Sequence, residues 1–356
     1  MKVLKWMQNR HLACINYSPN AGNCIWPFRL GLLLICLWFI GCTPNSDTAL
    51  ADYRDRLERT LKLELPAPTA LKAPMPELSD SPAIPISDIR LDLLDMLALD
   101  SCGLQPNQPS LGHLIAERNS SLGKVMAYSS QLQYEMKLLR ALTACLKDKN
   151  VPIDLRATLA NIFAQKQQQL PARLLNFLLR DPQLRQQIYG SQRPLDLTSG
   201  QGAETLIALQ NLLQLKQKLL DHNYQEASVI DINQQLAVLY QGQVLADLQH
   251  SLRSNLTQLQ TLNQQLKLWN PAWCKAETQT ILQQVLAQVF IAQVQRQFAH
   301  QDGIAQQLIP TLIALYADTV FSREIESRFY QPWQQLHSEL KIHIGWWQQL
   351  QSTCVQ

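Results

Sequence analysis

Between residues 51 and 352, outside a proline-rich segment at 66–85, the apolar positions recur close to every 3.6 residues, and no stretch alternates long enough to read as a strand. This spacing predicts helices over 51–64, 88–101, 110–118, 128–148, 153–189, 203–222, 228–269, 271–300, 304–318 and 322–352. In the first, Tyr53, Leu57 and Leu61 share one face and charges fill the rest. Ser87 supplies an N-cap for the second. Pro171 falls inside the 153–189 stretch and is a candidate break. Gly200 and Gly202 mark a loop, and Asn270-Pro271 reads as an N-cap followed by a first helical position. The pattern predicts an all-α protein of about ten helices, bundled or elongated, with no significant sheet.

The stretch 228–269 is the most regular. Val238, Leu245, Leu252, Leu259 and Leu266 fall every seven residues, and Leu248, Leu262 and Trp269 take the second heptad position with Asn255 among them. Such a coiled-coil-like seam either packs within its own chain or pairs with a second copy. The first alternative is the expectation. Between the first two predicted helices, prolines 66, 68, 74, 76, 82 and 85 forbid helix over 66–85. Leu71, Met75, Leu78 and Ile84 give that segment apolar anchors, so it is expected to lie along the body.

Composition supports the helical reading, since Gly is scarce and Leu, Ala and Gln are abundant. The glutamines are read as exposed polar filler on helix faces. Trp333, Trp346 and Trp347 are expected in the core, with a membrane or partner contact as the alternative. Adjacent tryptophans cannot both point inward on one helix.

The N-terminal region follows different rules. Leu30–Ile40 is an apolar run of about a dozen residues behind Arg29, too short for the roughly 20 that a membrane-spanning helix needs. A positive flank, a short apolar core and a small residue before a cut describe a secretory signal. Here the run ends in Phe39-Ile40-Gly41-Cys42, and a small residue directly before Cys narrows the reading to a bacterial lipoprotein signal. Cys42 is then the lipid-bearing first residue of the mature chain, 1–41 the signal and 42–50 a tether to a single helical domain over 51–356. Phe39 stands where Leu is usual, and the 29 residues before the run leave the translation start open. An uncleaved signal anchor is the alternative. In a two-membrane cell, Thr43 rather than Asp after the Cys favours the periplasmic face of the outer membrane.

Cleavage changes the charge. Removing Lys2, Lys5, Arg10 and Arg29 from the 31 basic residues leaves 27, against 28 acidic ones. A near-neutral mature chain argues against nucleic-acid binding. It also leaves four cysteines besides Cys42, namely Cys102, Cys145, Cys274 and Cys354. In an oxidising compartment these read as two disulfides with three possible pairings, of which Cys102–Cys145 and Cys274–Cys354 are expected. Four buried thiols are the alternative. Histidines 113, 222, 250, 300, 337 and 343 form no i, i+4 pairs, so neither a metal site nor a cofactor is expected.

Two stretches carry candidate chemistry. Asp88, Asp92 and Asp95 share a helix face suited to a cation or acid–base work, although a solvated face is the simpler reading. The second stretch gathers Glu117, Arg118, Asn119, Ser120, Ser121 and Lys124 in a loop where Gly123 permits unusual backbone angles. Around it, Ile86-Ser-Asp-Ile-Arg-Leu91, Cys102, Gly112-His-Leu-Ile-Ala-Glu-Arg-Asn-Ser-Ser-Leu-Gly-Lys-Val125, Gln131-Leu-Gln-Tyr-Glu-Met-Lys-Leu-Leu139 and Cys145 resemble a family of uncharacterised proteobacterial lipoproteins built on a domain of unknown function. The resemblance implies an exported helical lipoprotein and brings no activity, substrate or cofactor.

Ser121-Leu-Gly-Lys124 also matches Ser-x-x-Lys, in which Lys eases removal of the Ser proton. No Lys-Thr-Gly accompanies it and no α/β pattern surrounds it, so catalysis is not expected. The leading expectation is a non-enzymatic, outer-membrane-anchored envelope factor. It would contact the bilayer through acylated Cys42 and an unidentified envelope protein. In the loop, Arg118, Asn119 and Ser120 are expected to hydrogen-bond to neighbouring helices, with recognition of a partner or an anionic envelope ligand by Arg118 and Lys124 as the alternative. A serine-type hydrolase using Ser121 and Lys124, or a lipid or small-molecule carrier, are the alternatives.

Overall fold

The computed structural model describes residues 46–67, 83–87, 102, 113–114, 127–190, 193–196, 200–270 and 274–354. Among them are nine helices and no strand, the all-α architecture that the periodicity predicts. These are α1 (Ser46–Leu61), α2 (Tyr128–Lys147), α3 (Ile153–Arg180), α4 (Pro182–Tyr189) and α5 (Gln201–Leu220). After a single turn at Tyr224–Ala227 come α6 (Ile232–Gly242) and α7 (Val244–Leu268). Helix α8 comprises Ala276–Gln284, a π-helical stretch Val285–Gln295, and Arg296–Tyr316. Helix α9 comprises Ser322–Ile325, a π turn Glu326–Tyr330, and Gln331–Cys354. No helix among the described residues is long and apolar enough to cross a membrane.

Several boundaries differ from the sequence expectation. Helix α3 runs unbroken through Pro171. The chain breaks instead at Asp181, where two start signals coincide: its carboxylate accepts from the Gln183 and Leu184 amides, and Pro182 opens α4. The 228–269 stretch divides at Gln243, which adopts a left-handed φ of 48°. Helix α8 begins at Ala276, since Cys274 and Lys275 are non-helical. It then continues through Gly303 and Pro310 with no break between 300 and 304. Its end is held by Lys216, whose ammonium donates to the carbonyls of Ala314, Leu315 and Ala317 at 3.3, 3.1 and 2.8 Å.

Helix α7 is central and packs on α1, α4, α5, α8 and α9. Its heptad seam is buried inside the chain, with Leu245, Leu248, Leu252, Leu259, Leu262 and Leu266 all in the main core. That core also takes in α1 from Ala49 to Leu61. A second, smaller cluster lies between α2 and α3, where the buried Cys102 and Cys145 form a disulfide. Cys274 is also disulfide-bonded, and the side chain of Cys354 lies outside the described residues. Beside the second cluster the buried Glu135 meets Lys166 at 2.9 Å and Arg173 at 3.1 Å, joining α2 to α3.

The glutamines are not all surface filler. Gln187 and Gln249 are buried and donate across helices to the carbonyls of Leu239 and Ile188, both at 2.7 Å. A neutral carboxamide can bridge helix backbones without the desolvation cost of a charge. Residues 83–87, at the end of the proline-rich segment, lie along α3. There the Asn176 side chain accepts from the Ile84 amide (2.8 Å) and donates to the Ile84 carbonyl (3.0 Å).

Candidate functional site

The lipidation candidate Cys42, the aspartates 88, 92 and 95, and the loop residues Glu117, Arg118, Asn119, Ser120, Ser121 and Lys124 lie outside the described residues. Within them, polar chemistry concentrates on two faces of α9. His337 and His343 are six residues apart, which turns them about 120° around the helix. One face is sealed and the other lines a cleft.

The sealed face carries Glu339, His343 and Trp347 at i, i+4 and i+8. Tyr53 of α1 and Asn263 of α7 complete it. Trp347 Nε1 donates to Tyr53 Oη at 2.7 Å, and Tyr53 lies 2.5 Å from His343 Nε2. His343 Nδ1 lies 2.8 Å from Asn263 Oδ1. Asn263 Nδ2 donates to the carbonyl of Glu339 at 2.9 Å and to its Oε2 at 2.8 Å.

The directions of these bonds follow from the donor inventory. An indole N–H only donates, so Tyr53 accepts from Trp347 and turns its own proton toward His343 Nε2. The Asn263 amide nitrogen is committed to two acceptors, so its oxygen faces His343 and the imidazole proton sits on Nδ1. The imidazole is therefore neutral. Burial agrees, pushing the pKa of His343 from 6.5 down to about 3. Burial also raises the Tyr53 phenol well above its ordinary value, against a smaller lowering by the Trp347 hydrogen bond. Phe290, from the π-helical stretch of α8, closes the group at 5.2 Å from the Tyr53 ring and 5.0 Å from His343. With Tyr53 and His343 both fully buried, no substrate can reach the pair. This network ties the first helix to the last.

The open face borders a cleft of about 340 Å³ between α7, α8 and α9. Leu252, Phe298, Ala299, Trp333, Leu336 and Leu340 make its apolar walls, and Gln295, Gln301, Asp302 and His337 are its polar groups. Asp302 Oδ1 accepts from Trp333 Nε1 and pairs with His337 Nε2, both at 2.7 Å, while Oδ2 accepts from Gln306 at 2.7 Å. The carboxylate thus fixes the indole and the imidazole together.

Behind this pair, Asn255 Nδ2 donates to Gln301 Oε1 at 2.8 Å. Gln301 is only 2 % exposed, and its Nε2 has no hydrogen-bond partner, nor has Asn255 Oδ1. An unpaired buried amide costs about 1–3 kcal/mol, so a cleft-lining residue with a buried orphan donor gains if a ligand acceptor reaches that donor. Tyr330 extends the wall outward as an exposed ring 6.0 Å from Trp333. No group of three or more His, Cys, Asp or Glu side chains converges among the described residues.

Sequence reasoning placed neither site. Trp333 and His337 are at i, i+4 on α9, with Tyr330 one turn earlier, and that aromatic row was the available signal. Asp302 and Gln301 come from another helix and carried none. The tryptophans divide as adjacency requires, Trp347 buried and Trp346 partly exposed at the edge of the core.

A family model described as a protein of unknown function, DUF3080, matches residues 50–355, and the chain belongs to that family. Comparison with curated proteins and with solved structures gives no match.

Proposed function

We propose that this DUF3080 member is an envelope lipoprotein, held by lipid on Cys42 at the periplasmic face of the outer membrane, that binds a ligand and does not transform it. The cleft between α7, α8 and α9 carries the proposal. It joins apolar walls to the buried, unpartnered Gln301 amide, the combination found in sites that bind small molecules. The short apolar run ending in Gly41-Cys42 supports the anchor. The Cys102–Cys145 disulfide supports export, since such bonds persist in oxidising compartments.

The test uses the fluorescent apolar probe N-phenyl-1-naphthylamine with the full chain. Saturable binding that is lost on Ala299→Trp, a substitution that fills the cleft from an exposed wall position, supports the reading. Binding that is absent, or unchanged in that variant, overturns it. Membrane fractionation of Cys42→Ser tests the anchor separately, and unchanged fractionation would remove it. The exposed Tyr330 beside Trp333 favours a second reading, in which the cleft takes an apolar side chain from an envelope protein. In-cell crosslinking from position 330 tests that.

A further inference from the structure

We infer that the cleft takes an uncharged acyl group, with its hydrocarbon along the apolar walls and its ester or amide carbonyl accepting from Gln301 Nε2. The inference rests on the binding role proposed above and names the chemistry of the ligand.

Three observations carry it. First, the walls contributed by Leu252, Phe298, Leu336 and Leu340 are hydrocarbon, so the body of the ligand gains by burying apolar surface. Second, among the described residues the only titratable groups on the walls, Asp302 and His337, bond to each other, and Trp333 and Gln306 also donate to the carboxylate. Their facing polar atoms are already hydrogen-bonded. A charged head drawn inside would lose its hydration and would have to break these bonds to gain a counter-ion. Third, among the described residues the buried wall group without a partner is a neutral donor, Gln301 Nε2. Asn255 occupies the Gln301 oxygen, which leaves the amide N–H to seek an acceptor. A carbonyl is an uncharged acceptor that a hydrocarbon chain can carry into such a site, and unlike a hydroxyl it brings no donor of its own to satisfy.

Acyl chains arrive either as monoacyl lipids or as N-acyl amines, and both present the same carbonyl. The experiment is displacement of N-phenyl-1-naphthylamine from the mature chain, residues 42–356, carrying Cys42→Ser, which lacks both the lipid and the apolar signal and so keeps the preparation free of detergent. Four ligands of matched chain length are compared below their aggregation concentrations: 1-decanoylglycerol, N-decanoyl ethanolamine, decanoate and decylamine. The two carbonyl ligands should displace the probe at concentrations about tenfold lower than decanoate or decylamine, roughly one net hydrogen bond. Gln301→Leu should retain probe binding and bring all four within about threefold of one another. The difference between the glycerol ester and the ethanolamide identifies the source.

Equal displacement by all four, a preference for decylamine, or an unchanged preference in Gln301→Leu would overturn the acyl assignment and leave the cleft as a binding site. Failure of the probe itself to bind would instead overturn the binding role.

Discussion

The two faces of α9 use similar residues to opposite ends. Each has a histidine beside a tryptophan, bonded to polar groups of other helices. His343 is fully buried, and the chain from Trp347 through Tyr53, His343 and Asn263 to Glu339 has a donor for every acceptor. His337 keeps 36 % of its side chain exposed, and the neighbouring Gln301–Asn255 pair keeps two polar atoms unpaired. A buried polar network with every group satisfied specifies a unique packing, whereas a partly satisfied one at an open wall leaves bonding capacity for a ligand. The first face belongs to folding, and the second is the one for which binding is proposed.

The comparison breaks most readily at Trp347. Trp347→Ala should cost about 3–5 kcal/mol in urea denaturation, since it opens a cavity and removes the donor to Tyr53. A loss below about 1 kcal/mol would show that the sealed face does not hold α1 to α9. Tyr53→Phe is subtler. It keeps the ring against Phe290 but leaves the Trp347 N–H and His343 Nε2 unpaired. The expected cost is about 1–3 kcal/mol.

Acid gives a third handle. The unfolded His343 takes a proton near 6.5 and the folded one near 3, so between these values the unfolded chain binds more protons. Stability from this group is complete above pH 6.5 and falls as the pH drops toward 3, by up to about 1.4 kcal/mol per unit. The difference in slope between the wild type and His343→Gln measures it. Should that variant fail to fold, an NMR titration of wild-type His343 serves instead, and a midpoint near 6.5 would contradict the sealed network.

The smallest effect is expected at the open face. His337→Gln removes a partly exposed pair with Asp302 and should change stability by less than about 1 kcal/mol. Probe binding in the cleft should nevertheless change. A loss comparable to that of Tyr53→Phe would show that both faces are structural.

Much of the fold was legible in advance because helical periodicity is local. Leu245, Leu252, Leu259 and Leu266 announced the buried face of α7 without reference to any other segment. Boundaries were less legible where weak signals competed. Pro171 and Gly303 both stand inside helices that tertiary packing sustains, while Asp181-Pro182 ends one because cap and proline act together. The site was the least legible part. Glutamines read as surface filler turned out to include Gln187, Gln249 and Gln301, all buried.

By itself, the sequence determined the helical class, most helix positions and the inward face of α7, because each depends on residues within a few turns. It also carries the Gly41-Cys42 pattern from which the lipid anchor is proposed. Only the tertiary structure decided which histidine is sealed and which is open. Tyr53 and His343 lie 290 positions apart, and Asp302 reaches His337 from a different helix. Spacing along a chain places a side chain on a face of its own helix. The partner that face meets, and whether water still reaches it, is set by how the helices pack.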